Sequence, residues 1–200
     1  MPKLSAGTVS NGFWFPEFTQ LMAWVNEGDD DATIKRRVVE ENTFKQRTRD
    51  RAARMTACLL RRIHSLPAAL QEDFAGLDLD NQRVLVLVGI MNTDQLVQQF
   101  MLDCFRSAVV MGDQILQSYE LDAFFLRLQG EREEVAGWQD ETITRLKGTL
   151  RNYLRGAGLV TDADGQLVLR RPLLSSRVVA ALQDAGHADF VIALTGRANG

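Results

Sequence analysis

Side chains able to do covalent chemistry are sparse in this chain of 200 residues, and the conspicuous ones are cationic. The two histidines, His64 and His187, stand far apart, with no acid or nucleophile at a spacing diagnostic of a catalytic pair. His64 ends a basic segment, where a histidine more often answers the helix dipole than serves as a general base. No Gly-rich phosphate loop ends in Lys-Ser/Thr, and neither Cys-x-x-Cys nor His-Glu-x-x-His occurs. No Glu lies two residues before a Lys, so the Asp…Glu-x-Lys nuclease pattern is absent. Asp29-Asp30-Asp31 suits the start of the following helix, where negative charge is favoured, and has no His or second acidic cluster placed to complete a metal site. Asp162-Ala163-Asp164-Gly165 matches a fragment of a calcium loop without the remaining ligand spacing. The expectation is a protein that is not an enzyme and uses no cofactor and no metal.

Recognition of a polyanion is the chemistry the residues do support. Between Lys35 and Arg62 lie ten cations (Lys35, Arg36, Arg37, Lys45, Arg47, Arg49, Arg51, Arg54, Arg61, Arg62) against Glu40, Glu41 and Asp50. The local net charge is +7 on a chain of −3, so the remainder sums to −10. A solvated helix face usually mixes signs to gain i,i+4 pairs. Here Asp50 is the single acid between Thr43 and Arg62, and eight of the ten cations are Arg, the residue whose planar fork matches phosphate and guanine.

The elements that must carry these groups read as helices. Ala52, Met55, Thr56, Leu59 and Ile63 recur at three- and four-residue steps and predict a helix over 43–64, with Thr43 as N-cap and Pro67 ending it. Arg47, Arg54 and Arg61, seven apart, line its opposite face, flanked by Arg51 and Arg62. A shorter helix over 32–41 precedes it, with Ile34 and Val38 inward, and Glu41-Asn42-Thr43 reads as a tight turn. Short helix, brief turn, longer basic helix is the outline of a helix-turn-helix. In that outline Thr43, Lys45, Gln46 and Arg47 reach base edges from the leading end, while Lys35, Arg36 and Arg37 touch phosphates.

Upstream, Ser5 to Gly12 reads as a polar arm and Pro16 opens a first helix. Downstream, Val84 to Val88 is ambiguous between strand and buried helix and is assigned as helix. Residues 93–111 form one helix with a broad apolar face, closed by Gly112. A helix begins at Ser118 or Tyr119, and Asp140 caps another through Arg155, with Ile143, Leu146, Leu150, Tyr153 and Leu154 inward and Arg145, Arg151, Asn152 and Arg155 outward. A β-hairpin follows, with Asp162 to Gly165 as its turn, so that Arg170 and Arg171 stand at the base of a wing. Two short helices close the chain. The predicted fold is mainly α: an N-terminal helix-turn-helix-like unit over 1–76, central apolar helices over 77–117, and a C-terminal winged-helix-like unit over 118–200 with one small hairpin.

Composition is that of a soluble globular protein, with 46% hydrophobic and 24% charged residues. No apolar run reaches the roughly 18 residues of a membrane span. The start lacks a signal-peptide apolar region, so Cys58 and Cys104 read as reduced core residues of a cytoplasmic protein.

Taken in order, several stretches resemble the BrxA family of BREX bacteriophage-defence systems. They are Ser5-Ala6-Gly7 and Gly12 before Pro16-Glu17-Phe18; Ile34-Lys35 with Val38-Val39-Glu40-Glu41-Asn42; the run bearing Arg47, Arg49 and Arg54; the long apolar middle; and Leu154-Arg155-Gly156-Ala157-Gly158-Leu159 before the hairpin. The resemblance covers nearly the full length and rests on order and spacing. It implies a mainly helical cytoplasmic protein, helical through Val84 to Ile90, that binds double-stranded DNA. It also implies action beside other BREX proteins, among them a methyltransferase and ATPases.

The combined expectation is a DNA-binding protein whose principal contact is Lys45, Gln46, Arg47, Arg49, Arg51 and Arg54, with Arg61 on the same helix. Arg145, Arg151, Arg155, Arg170 and Arg171 supply a second surface. Two rivals remain: an adaptor whose basic helix docks on an acidic protein partner, and a sequence-specific regulator acting as a homodimer on spaced half-sites.

Overall fold

The computed structural model describes residues 3–197. Helices α1 (Phe15–Asn26), α2 (Asp31–Glu41) and α3 (Arg49–His64) form the first third of the chain. They are followed by α4 (Ala68–Glu72), α5 (Leu79–Thr93) and α6 (Gln95–Gln99). A π-helical segment (Phe100–Phe105) links α6 to α7 (Arg106–Met111). Then come β1 (Ile115–Leu116), α8 (Ser118–Glu131), α9 (Glu133–Ala136), α10 (Asp140–Gly156), β2 (Val160–Ala163), β3 (Gln166–Leu169), α11 (Ser176–Asp184) and α12 (Ala188–Thr195). The fold is mainly α, as the periodicities require.

Helix α5 is the centre. Val84 to Val88 is helical, and Val84 through Met91 is buried on every side, so propensity for strand is overridden by helical neighbours. Gly89 explains one close contact: a Cβ there would stand 2.9 Å from the carbonyl oxygen of Arg62, so α3 and α5 approach backbone to backbone. One apolar cluster runs from Leu4 to Leu194, through Phe18, Leu59, Val86, Phe105, Leu146 and Val191.

Several boundaries differ from the sequence expectation. The basic helix starts at Arg49, not Thr43. Asn42 and Lys45 both adopt left-handed backbone (φ 48° each), which no helix accommodates. The Asn42 carboxamide clamps Gln46, accepting from its backbone N–H at 2.8 Å and donating to its carbonyl at 3.1 Å. Asn competes locally for backbone groups in this way and tolerates the left-handed region. Thr48 is the N-cap, accepting from Arg51 N–H, so the tight turn expected at Glu41-Asn42-Thr43 is a seven-residue connection.

The helix expected over 93–111 is likewise broken. Asp94 is extended (φ −137°) and its carboxylate accepts from the Leu96 and Val97 N–H groups, so it ends α5 and caps α6. The hairpin is joined by a third strand: β1 pairs antiparallel with β3, giving the order β1-β3-β2. Two residues are too few for a strand pattern to show in sequence. Its turn is the two residues Asp164-Gly165, both left-handed (φ 49° and 77°), which matches the twist of the strands. β1 lies upstream of residue 118, and α12 packs on α7 and the π segment, so the central and C-terminal parts interlock.

Candidate nucleic-acid interface

Helix α3 is held by α1, α2 and α5, which take its apolar face (Ala52, Met55, Leu59, Ile63) and turn Arg49, Arg51, Arg54 and Arg61 outward, all exposed. Among the described residues none of these four has a carboxylate within ion-pair distance. Arg51 Nε donates to Gln46 Oε1 at 2.9 Å, and Arg54 Nε makes a long 3.4 Å bond to the Asp50 carbonyl. The stripe is therefore cationic and uncompensated over about 15 Å from Arg51 to Arg61, at 1.5 Å per residue.

The expected leading end of this helix is instead the connecting loop. Thr43 is exposed and caps nothing. Lys45 and Arg47 are exposed and unpaired among the described residues, but they are off the helix, so Arg47 does not continue the seven-residue stripe. Gln46 is tied inside the loop, its Nε2 donating to Phe44 O and its Oε1 accepting from Arg51, so it is not free to read a base edge.

On α2 the Asp30 carboxylate caps the helix by accepting from Thr33 N–H at 2.7 Å, a bond that holds its pKa below the usual carboxylate range. Asp29 pairs with Arg37 (3.0 Å), whose guanidinium also lies 4.6 Å from the Trp24 ring centre. Arg37 is thus spent in the fold, while Lys35 and Arg36 stay exposed. Asp31 meets His64 at 2.8 Å. Each acid of the triplet has a structural role, and among the described residues no His, Cys, Asp and Glu are grouped to hold a metal.

Arg62 belongs to the cationic run in sequence, yet it is only 2% exposed. Its guanidinium sits 5.4 Å from the Trp14 ring centre and 6.0 Å from that of Tyr153, and Nη1 donates to Gly12 O at 2.9 Å. Burial pushes the Tyr153 hydroxyl up to about 12, so it stays a proton donor, and it donates to Asn11 O at 2.7 Å. The polar arm is thus an ordered 3-10 turn (Ala6–Ser10) packed on α10, and Gly12 after it reaches Arg62 of α3.

That placement brings α3 and α10 to one cleft. Arg51 shares a cavity of about 290 Å³ with the arm (Val9 to Trp14) and with Thr149, Asn152 and Tyr153 of α10. Arg51 and Arg54 line a second with Ser10, Asn11, Trp14 and Met55, and Arg61 lines a third with Lys3, Ser5, Gly7, Thr8 and Asn11. Sequence reasoning does not single out Lys3, Ser10, Asn11, Thr149 or Asn152 as contacts. The available signal is weak: Arg145, Thr149 and Asn152 share one helical edge by their spacing of four and three.

The second expected surface splits. Arg145 is exposed and unpaired, and Arg151 is half-buried and unpaired, among the described residues. Arg155 is not free: Nε and Nη2 form a bidentate pair with Asp162 at 2.6 and 2.7 Å, which fastens the hairpin to α10. Arg151 and Arg155 line a separate cleft with Gln117, Ser118 and Gln166. Arg170 is exposed beyond β3, whereas Arg171 Nη2 donates to Val109 O at 2.9 Å on another side, beside Leu173 and Arg197.

Among the described residues no helix is long and apolar enough to cross a membrane. Comparison with known proteins agrees with the fold. A BREX protein BrxA of Bacillus cereus (strain H3081.97) is 29% identical over 182 residues, covering 91% of each chain. The crystal structure of an uncharacterized protein from Magnetospirillum magneticum superposes with a TM-score of 0.76 at 18% identity, over 96% of this chain and 98% of that one, and so shares the fold. The BrxA family model matches residues 2–186, nearly the whole length, and the chain therefore belongs to the BrxA family.

Proposed function

We propose that this BrxA-family protein is a non-enzymatic, cytoplasmic double-stranded-DNA-binding component of a BREX bacteriophage-defence system, acting beside other BREX proteins. The observation that carries the reading is the α3 stripe: Arg51, Arg54 and Arg61 are exposed without any carboxylate partner among the described residues, on a chain whose net charge is −3. An acidic protein leaves such a stripe uncompensated where an external polyanion supplies the counter-charge. Arg49 extends it on α3 itself, and Lys35, Arg36, Lys45 and Arg47 extend it on the neighbouring helix and loop. Phosphates are the groups met, because guanidinium forks bind them bidentately and Gln46, the best base reader of the set, is occupied.

The C-terminal connectivity supports the same reading. Helix pair α8 and α10, then a hairpin whose second strand also pairs with β1, is the order of elements in a winged helix-turn-helix. Such a unit presents its second helix, here α10 with Arg145 and Arg151, to a groove. Docking on a protein partner has an observation of its own: Arg171 and Arg197 flank a cavity of about 340 Å³ beside Leu173, which is 90% exposed.

A gel shift with random-sequence duplex at rising salt tests the proposal. Retardation at low salt that fades steeply supports phosphate binding. No retardation at low salt removes the reading and favours the adaptor. One preferred operator bound by a homodimer would favour the regulator.

A further inference from the structure

The α3 and α10 cations belong to separate helices, so a duplex that meets both depends on what sets their separation. Two consecutive carbonyls of the arm are gripped, one by a side chain of each helix. Tyr153 on α10 donates to Asn11 O at 2.7 Å, and Arg62 on α3 donates to Gly12 O at 2.9 Å. Arg62 is a buried cation with no carboxylate partner among the described residues; its guanidinium rests instead against Trp14 and Tyr153. A buried charge without an anion is costly, so its place there calls for a compensating role.

Further contacts leave the arm little freedom. The Thr8 hydroxyl, in a residue 2% exposed, donates to Asp94, and Leu4 N–H donates to Glu134 at 3.2 Å. A Cβ on Gly156 would fall 2.5 Å from the Phe13 ring, and one on Gly12 equally close to the Trp14 ring, so both glycines are places where an aromatic lies on bare backbone. Trp14 itself holds a left-handed backbone (φ 52°), uncommon for a bulky residue and retained only where the surroundings over-determine it.

We propose, building on the reading of both helices as duplex-facing, that Tyr153 and Arg62 are positioning residues that clip the two helices together through the arm. They lock α3 and α10 at the separation at which Arg51, Arg54 and Arg61 engage the same duplex as Arg145. Neither need touch nucleic acid. Preorganised cations contribute together; cations on two loosened elements do not, because ordering them consumes the gain.

Tyr153→Phe tests this, since it deletes one hydroxyl and keeps the ring. Duplex binding is measured by fluorescence anisotropy across a salt series, with circular dichroism to show the fold is retained. Losing the Arg145 contact makes the slope of log K against log salt shallower by about 0.9 and weakens binding about eightfold at 0.1 M salt. Arg145→Ala then weakens the wild type but adds nothing in the Tyr153→Phe background. A merely structural tyrosine would leave slope and additivity untouched. If Tyr153→Phe fails to fold, Thr8→Val, which unhooks the arm from Asp94, is read in the same way. Wild-type slope with additive effects overturns the inference while leaving DNA binding intact; a wild type that binds no duplex at low salt overturns both, through the earlier proposal.

Discussion

Replacing Arg51, Arg54 and Arg61 together by Ala gives a quantitative account of the α3 stripe. These three lie within about 15 Å along one helix, and each lines a cavity beside the arm. Each phosphate neutralised adds about −0.9 to the slope of log K against log salt, so losing these three contacts makes the slope shallower by about 2.7. Raising salt from 50 to 200 mM should then weaken the wild type about 40-fold more than it weakens the triple variant. The variant removes no buried group and no ion pair, so its far-ultraviolet circular dichroism and melting should stay close to wild type. Anisotropy with a labelled duplex of random sequence measures both slopes. A folded triple variant that keeps the wild-type slope would refute the assignment, whatever its absolute affinity.

Three other outcomes follow from the geometry. Thr48→Ala should cost about 1 kcal/mol in urea unfolding through loss of the α3 cap, whereas Thr43→Ala should stay within about 0.5 kcal/mol, since Thr43 caps nothing. Gly156→Ala should destabilise by about 1–3 kcal/mol, because the new methyl meets the Phe13 ring at 2.5 Å on the arm. The Arg155 guanidinium holds the Asp162 carboxyl below its ordinary 3.8, so its contribution is present above that pH and is lost as pH falls through the lowered value. Protection of the β2–β3 hairpin amides, relative to intrinsic exchange at the same pH, should fall on acidification below about pH 4, and Asp162→Asn should abolish that loss.

Family membership and chemistry also bear on each other. BrxA-type spacing in the sequence rests on soft stretches such as Gly12 and Leu154 to Leu159. Some of them have a physical role in the fold. Gly12 supplies both a carbonyl to Arg62 and bare backbone beneath Trp14, and Gly156 makes room for Phe13.

The sequence by itself determined the α class, the buried faces of α3, α5 and α10, and the local excess of cations, because these depend on periodicity and on charge counted along the chain. Helical packing even decided the ambiguous Val84 to Val88, since every neighbouring pattern was helical. What only the tertiary structure decided is which cations are free. Arg62 is buried against Trp14, Arg37 is paired with Asp29, Arg155 with Asp162, and Arg171 is held by a carbonyl of α7. None of those partners except Asp162 and Asp29 is within ten residues, and even these are indistinguishable in sequence from acids that face solvent. The start of α3 was hidden for a local reason, the Asn42 clamp and two left-handed residues, which compete with helix at energies too small for pattern to reveal. The seat of the arm was invisible for a long-range one: Asn11 and Tyr153 are 142 residues apart, and only the folded chain makes them neighbours.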